Sequence, residues 1–314
     1  MGFKLDPKRD VGAGLRRVMR EEIAAAIAEA GRRQRSWAKR IHRARLATKK
    51  VRAVLKLVRS SAPKLYRTEN RRLGRAARAF SAWRDADAML ACFASLLERH
   101  ADAIRPARFD PVSRALRAHR RAIQPRPAEV RRAVREFVAA LRETDRRLSR
   151  WKPDLDFDAL AEGLRRSYRR ARRALRAVRR NPTAEKFHAW RKATKACGYQ
   201  CRLLRAAWRP AMKELGRELK ELGGRLGDEH DFHLLAAWLT QRQRQGRLDL
   251  EPAVLDAALA LIEARRQELQ AEARLLGERA FADRPAALAR RMTEWWRIAR
   301  AAPEPGAVSP RRTH

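Results

Sequence analysis

Apolar residues recur along this chain at helical spacing, and no stretch alternates with period two over a useful length, so helices are expected throughout. Leu15, Val18, Met19, Ile23 and Ile27 form the inward face of a first helix over about 8–34. A second, over about 37–60, turns Ile41, Ala44, Thr48, Val51, Leu55 and Val58 to one side. Pro63 suits the first turn of a third helix, running through Leu73 to Phe80. The stretch Ala82-Trp83-Arg84-Asp85-Ala86-Asp87 reads as a break before a fourth helix that runs to about 103. Four helices with short loops predict an antiparallel bundle. Pro106, Pro111, Pro125 and Pro127 mark a boundary holding a short helix near 113–123. Later helices are expected over about 128–151, 157–180 and 183–208, from Pro210 to the Gly223-Gly224 pair, then about 229–244, 252–281 and 285–301. The proline-rich tail 303–314 is expected to be disordered.

Beside the apolar face of the second helix runs a polar one. His42, Arg45, Lys49, Arg52, Lys56 and Arg59 follow at spacings of 3, 4, 3, 4 and 3, which places all six in one stripe. The stripe is roughly 25 Å long at ~1.5 Å per residue. It returns 146 residues later: His42-Arg43-Ala44-Arg45-Leu46-Ala47-Thr48-Lys49 falls on His188-Ala189-Trp190-Arg191-Lys192-Ala193-Thr194-Lys195, with five of eight positions identical. In the same register Lys56 falls on Arg202, Arg59 on Arg205 and Asp85 on Asp231. Chance supplies Arg and Ala matches in so biased a chain, but not a His, a Thr and an Asp together. The repeat predicts an all-α protein of two homologous helical units in pseudo-two-fold arrangement, 1–104 and 105–302, the latter with extra C-terminal helices.

Composition sharpens the functional reading. The 314 residues carry a formal net charge of +39. Such self-repulsion destabilises a compact state, so a polyanion is the expected partner. Cys92, Cys197 and Cys201 make no disulfide framework. The N-terminus has no apolar core of a signal peptide, and no apolar run is long enough to span a membrane. A cytoplasmic protein is expected.

His42, Arg45, Lys49, Lys50 and Arg52 read H-x-x-R-x-x-x-K-K-x-R. With the second copy, His188, Arg191, Lys195 and Tyr199, this resembles the CHAD family, the conserved histidine α-helical domain. Trp83-Arg84-Asp85 is similar to the family's arginine–aspartate pair, and Leu226-Gly227 with Asp231 to its second L-G-x-x-x-D. The likeness covers roughly 8–300. Gly198 stands where the family's second copy has arginine, which would interrupt the second basic face. The resemblance implies two four-helix bundles presenting basic surfaces to each other, binding of inorganic polyphosphate, and association with polyphosphate granules. Family members are often fused to a CYTH triphosphatase-type domain; without its E-x-E-x-K motif the chain looks like a standalone member.

The chemistry suits the ligand. Polyphosphate has many charges and no bases, so a binder needs a rigid track of donors. Arginine grips phosphate oxygens with a planar fork and lysine supplies a point charge. The candidate binding residues are His42, Arg45, Lys49, Lys50, Arg52, Lys56, Arg59, His188, Arg191, Lys195, Arg202 and Arg205. Both histidines have two open roles: donors to phosphate, or structural partners of Asp85 and Asp231. The two aspartates read as helix N-caps or salt-bridge partners. Arg165, Arg169, Arg172, Arg176 and Arg179 form either a third basic track or a solvated face. Asp228, His230, Asp231 and His233 have metal-ligand chemistry but read as structural, and no cofactor is expected. There is no P-loop and no nucleophile elbow, so no enzyme is expected. The competing reading is a non-specific nucleic-acid binder.

Overall fold

The computed structural model describes residues 2–32 and 36–303 of the chain, and helices account for its regular structure, with no strand among the described residues. The expected disorder of 303–314 falls outside the described residues except at Pro303. Among the described residues eleven α-helices follow one another: α1 (Val11–Gly31), α2 (Trp37–Leu57), α3 (Pro63–Arg78), α4 (Ser81–Arg99), α5 (Asp110–Ala122), α6 (Pro127–Arg150), α7 (Phe157–Arg180), α8 (Ala184–Leu203), α9 (Arg209–Arg244), α10 (Pro252–Ala280) and α11 (Pro285–Ala301). A short 3-10 turn, Pro106–Phe109, precedes α5. Local chemistry sets many of the starts. Asp10, Asp156 and Thr183 accept backbone N–H bonds at the heads of α1, α7 and α8, and prolines open α3, α6, α10 and α11.

The helix boundaries repeat as the residues do. Val11 opens α1 and Phe157 opens α7, 146 positions on; Leu57 closes α2 and Leu203 closes α8 at the same offset. The third unit differs. In the first copy α3 and α4 are separated at Ala79-Phe80, where the Phe80 ring is buried edge-on against Trp83 and Phe137. In the second copy the matching stretch is the single 36-residue α9. Two sequence expectations are corrected here. The stretch 82–87 lies inside α4, the break falling earlier at Ala79-Phe80, and its Asp87 pairs outward with Arg120 of α5. Gly223-Gly224 does not end a helix. Helical glycine costs only ~1 kcal/mol, and α8 packs along this face with Lys195 lying over Gly223.

Two buried clusters result. The larger joins α1, α2, α3, α6, α7, α8 and α11 with the first half of α9 and the end of α10. The smaller joins α4, α5, the 3-10 turn, the second half of α9 and the first half of α10. α4 therefore packs on α5 and α9 rather than completing a bundle with α1–α3. Both clusters take residues from either side of position 104. The long helices α9 and α10 run through both and hold them together.

Candidate functional site: a cationic cleft

α2 and α8 meet at the centre of the larger cluster. Each buries the stripe the apolar pattern assigned to it. On α2 these are Ile41, Ala44, Thr48, Val51 and Leu55; on α8, Phe187, Trp190, Thr194, Cys197 and Cys201. Gln200 Nε2 donates to the Ala53 carbonyl at 2.9 Å and locks the pair together. With both apolar stripes turned to the core, the basic stripes are forced to the same opening.

Two recesses flank this crossing. One, of about 820 Å³, is lined by His42, Arg45 and Lys49 of α2, Arg84 of α4 and Asp231 of α9. The other, of about 750 Å³, is lined by Lys49, Arg52, Lys56 and Arg59 of α2 and by His188, Arg191, Lys192 and Lys195 of α8. Arg166 and Arg170 of α7 and Tyr66 and Asn70 of α3 complete it. Lys49 lines both, so the two recesses adjoin at that side chain and are together called the cleft.

The electrostatics are those of a site made for negative charge. Burial pushes Lys49 down to about 8, helped by Arg45 and Arg191. Lys195, its counterpart in the repeat, is also pushed to about 8 by burial, with Arg191 and Lys49 adding repulsion. Lys56 falls to about 8 for want of solvent and because Arg52, Arg170 and Lys192 crowd it. Arg45 and Arg191 are held below their ordinary value by burial, and each has a buried nitrogen without a hydrogen-bond partner. Among the described residues Arg45, Lys49, Lys56, Arg191, Lys192 and Lys195 make no ion pair within 4.0 Å. Elsewhere on the molecule arginines pair with Glu or Asp, as Arg20 does with Asp145 at 2.8 Å.

Some basic side chains are anchored. Arg52 Nε donates to Asn70 Oδ1 at 2.9 Å, and Arg59 lies over the Tyr66 ring at 5.4 Å. Arg166 donates to the Leu57 carbonyl at 3.1 Å. Room for the others comes from missing side chains: Arg191 and Lys195 lie 3.7 Å from where Gly227 would carry a Cβ. Gly198 belongs to the same packing. Its Cβ position meets Leu219 of α9 at 3.5 Å, so α8 rests on α9 there instead of presenting an arginine.

Nine of the twelve predicted binding residues converge on this cleft. Three lie elsewhere. Lys50 turns to α1, paired with Glu22 at 2.7 Å and set over the Phe3 ring. Arg202, exposed in the last turn of α8, and Arg205, beyond the helix end at Leu203, line neither recess. His42 stands exposed at the mouth and His188 half-buried, its ring 4.4 Å from that of His230. Neither bonds to Asp85 or Asp231. Burial lowers both histidines, with Lys49 and Arg45 acting on His42 and Lys192 and Arg191 on His188. Neither aspartate is an N-cap: both lie inside helices, Asp85 paired with Arg84. Partial burial raises the Asp231 carboxyl against the opposing pull of Arg191 and Arg84, and its Oδ1 is unbonded. Arg84, noted only through the family's arginine–aspartate pair, joins the cleft, and so do Arg166, Arg170 and Lys192, which were not singled out. Lys192 adjoins Arg191 in sequence, and Arg166 and Arg170 lie one residue beyond the α7 row that drew notice, so only the tilt of α7 selects them.

Among the described residues no group of three or more His, Cys, Asp or Glu could hold a metal ion, and no helix is long and apolar enough to cross a membrane. The model of the CHAD domain family matches residues 17–240. A search of curated proteins found no match.

Proposed function

The chain belongs to the CHAD domain family, which is linked to polyphosphate, and on that footing we propose that it binds inorganic polyphosphate in the cleft between α2 and α8. The observation that carries this is the meeting of Lys49 and Lys195. Equivalent positions of a sequence repeat line one recess, partly buried and without an ion pair within 4.0 Å, where Lys49, Arg45, Arg84 and Arg191 outweigh the single carboxylate, Asp231, that acts on both lysines. Buried cations of this kind destabilise a fold unless an anion shares the site. A flexible chain of phosphates can thread past Arg45, Lys49, Arg191 and Lys195 with a donor at each step, and it offers no base that would need reading. The repeated helix boundaries support a pseudo-two-fold relation between the units that present the two walls. The role is binding without turnover, in the cytoplasm and at polyphosphate granules.

The test is direct binding to long-chain polyphosphate, duplex DNA and single-stranded RNA at ~150 mM salt, where the Debye length is only ~8 Å. Polyphosphate should bind most tightly, and Arg45→Glu, Lys49→Glu and Arg191→Glu should each weaken it. Duplex binding of equal strength, indifferent to those changes, would return the protein to the general nucleic-acid binders. Orthophosphate release with magnesium would overturn the reading of binding without turnover. A fluorescent fusion that stays diffuse in granule-bearing cells would remove the granule assignment.

A further inference from the structure

α7 carries arginines out of the cleft. Arg166 and Arg170 line the recess itself, and Arg170 repels Lys56 and Lys192. Further along, Arg173, Arg176, Arg179 and Arg180 line an open recess of about 780 Å³ that no other described residue lines. On a 3.6-residue helix, positions 166, 170, 173 and 180 share one face, with 176 flanking it. From Arg166 to Arg180 the row is ~21 Å long.

Little of its charge is compensated. No acidic residue occurs from Gly163 to Arg180. Arg179 pairs with Glu278 at 3.2 Å, while Arg173, Arg176 and Arg180 are exposed and make no ion pair among the described residues. Some exposed arginines elsewhere, such as Arg217 and Arg297, pair with a glutamate three residues before them, while others, such as Arg131 and Arg135, do not; the α7 row differs in running on from the cleft. The α7 row therefore continues the cleft's field across the surface with unused donors.

We propose that this row is a second anion track, taking the length of polyphosphate that emerges from the cleft. It makes affinity depend on chain length: a short polyphosphate fills the cleft alone, and a long one also lies along α7. The inference rests on the cleft being the primary polyphosphate site.

Isothermal titration with inorganic triphosphate and with long-chain polyphosphate separates the two. The variants are the triple Arg173→Glu, Arg176→Glu, Arg180→Glu and its milder Gln counterpart. The triple Arg131→Glu, Arg132→Glu, Arg135→Glu, on exposed positions of α6 that line neither recess, makes the same charge change elsewhere. The α7 triple should lose about tenfold in long-chain affinity and lower the slope of log K against log salt by about 2, for three lost contacts. Triphosphate binding should stay within about twofold, and the α6 triple should have much the smaller effect on long chains. Equal losses from the α7 and α6 triples, or parallel losses for short and long chains, would overturn the track while leaving the cleft standing. A wild-type protein that bound neither ligand would remove the cleft reading and the track with it.

Discussion

Lys49 and Lys195 show what the cleft does to a single residue. An ordinary lysine titrates near 10.5, and both are pushed to about 8 in the folded, empty protein. The unfolded chain therefore holds protons that the fold has shed between these values. The proton difference makes stability rise as pH climbs from about 8 to 10.5, and below about 8 the full penalty of burying both charges is present. A bound polyanion reverses the shift by favouring the ammonium form. Polyphosphate binding at about pH 8.5–9 should thus take up protons, seen as a buffer-dependent heat, and affinity should fall as pH rises through this window. Lys49→Met should stabilise the empty protein by about 1–3 kcal/mol in urea unfolding while weakening polyphosphate binding. Loss of both stability and affinity would mean that Lys49 has a compensating partner in the fold.

At the scale of elements, glycines decide how near the walls of the cleft can come. Gly163 of α7 passes under the end of α2, its Cβ position only 2.2 Å from the Leu57 carbonyl oxygen. That approach lets Arg166 reach the same carbonyl and turn its neighbours into the cleft. Gly163→Ala should destabilise the protein by about 2–3 kcal/mol, because backbone must move to admit the methyl. Gly198 behaves oppositely. An added methyl makes ordinary contact with Leu219, and alanine is the better helix former, so Gly198→Ala should raise stability by about 0.5–1 kcal/mol. Urea midpoints for the two variants should move in opposite directions. The single helix α9 belongs to the same logic: Gly223 and Gly227 form a shallow bed for Lys195 and Arg191 rather than a stop signal.

Across the whole molecule, a net charge of +39 acts on folding and binding with opposite sign. Raising salt from about 50 to 200 mM screens self-repulsion and should raise the melting temperature of the empty protein. The same change should weaken polyphosphate binding by orders of magnitude, since each phosphate contact releases counterions. Polyphosphate at about 100 times its Kd should stabilise the fold by ~2.7 kcal/mol at low salt. A melting temperature that falls with salt in the empty protein would place the dominant charges in paired rather than repelling arrangements.

Much of this was legible along the chain. The all-α class followed from periodicity, and the expected helices 157–180 and 285–301 coincide with α7 and α11. The CHAD resemblance and the pairing of His42 with His188 followed from the 146-residue repeat. These are local signals: spacing, caps and prolines act within a few residues. Other features depended on which helix packs on which. The partnership of α4 with α9, the turning of Lys50 to Glu22, the packing of Gly198 against Leu219, and the entry of Arg84, Arg166 and Arg170 into the cleft all arise between segments far apart in sequence. A stripe spaced 3 and 4 establishes that six side chains share a face. Whether that face meets solvent, a carboxylate or another row of cations is set by the crossing of α2 and α8. Desolvation and mutual repulsion exist only once the two walls have been brought together.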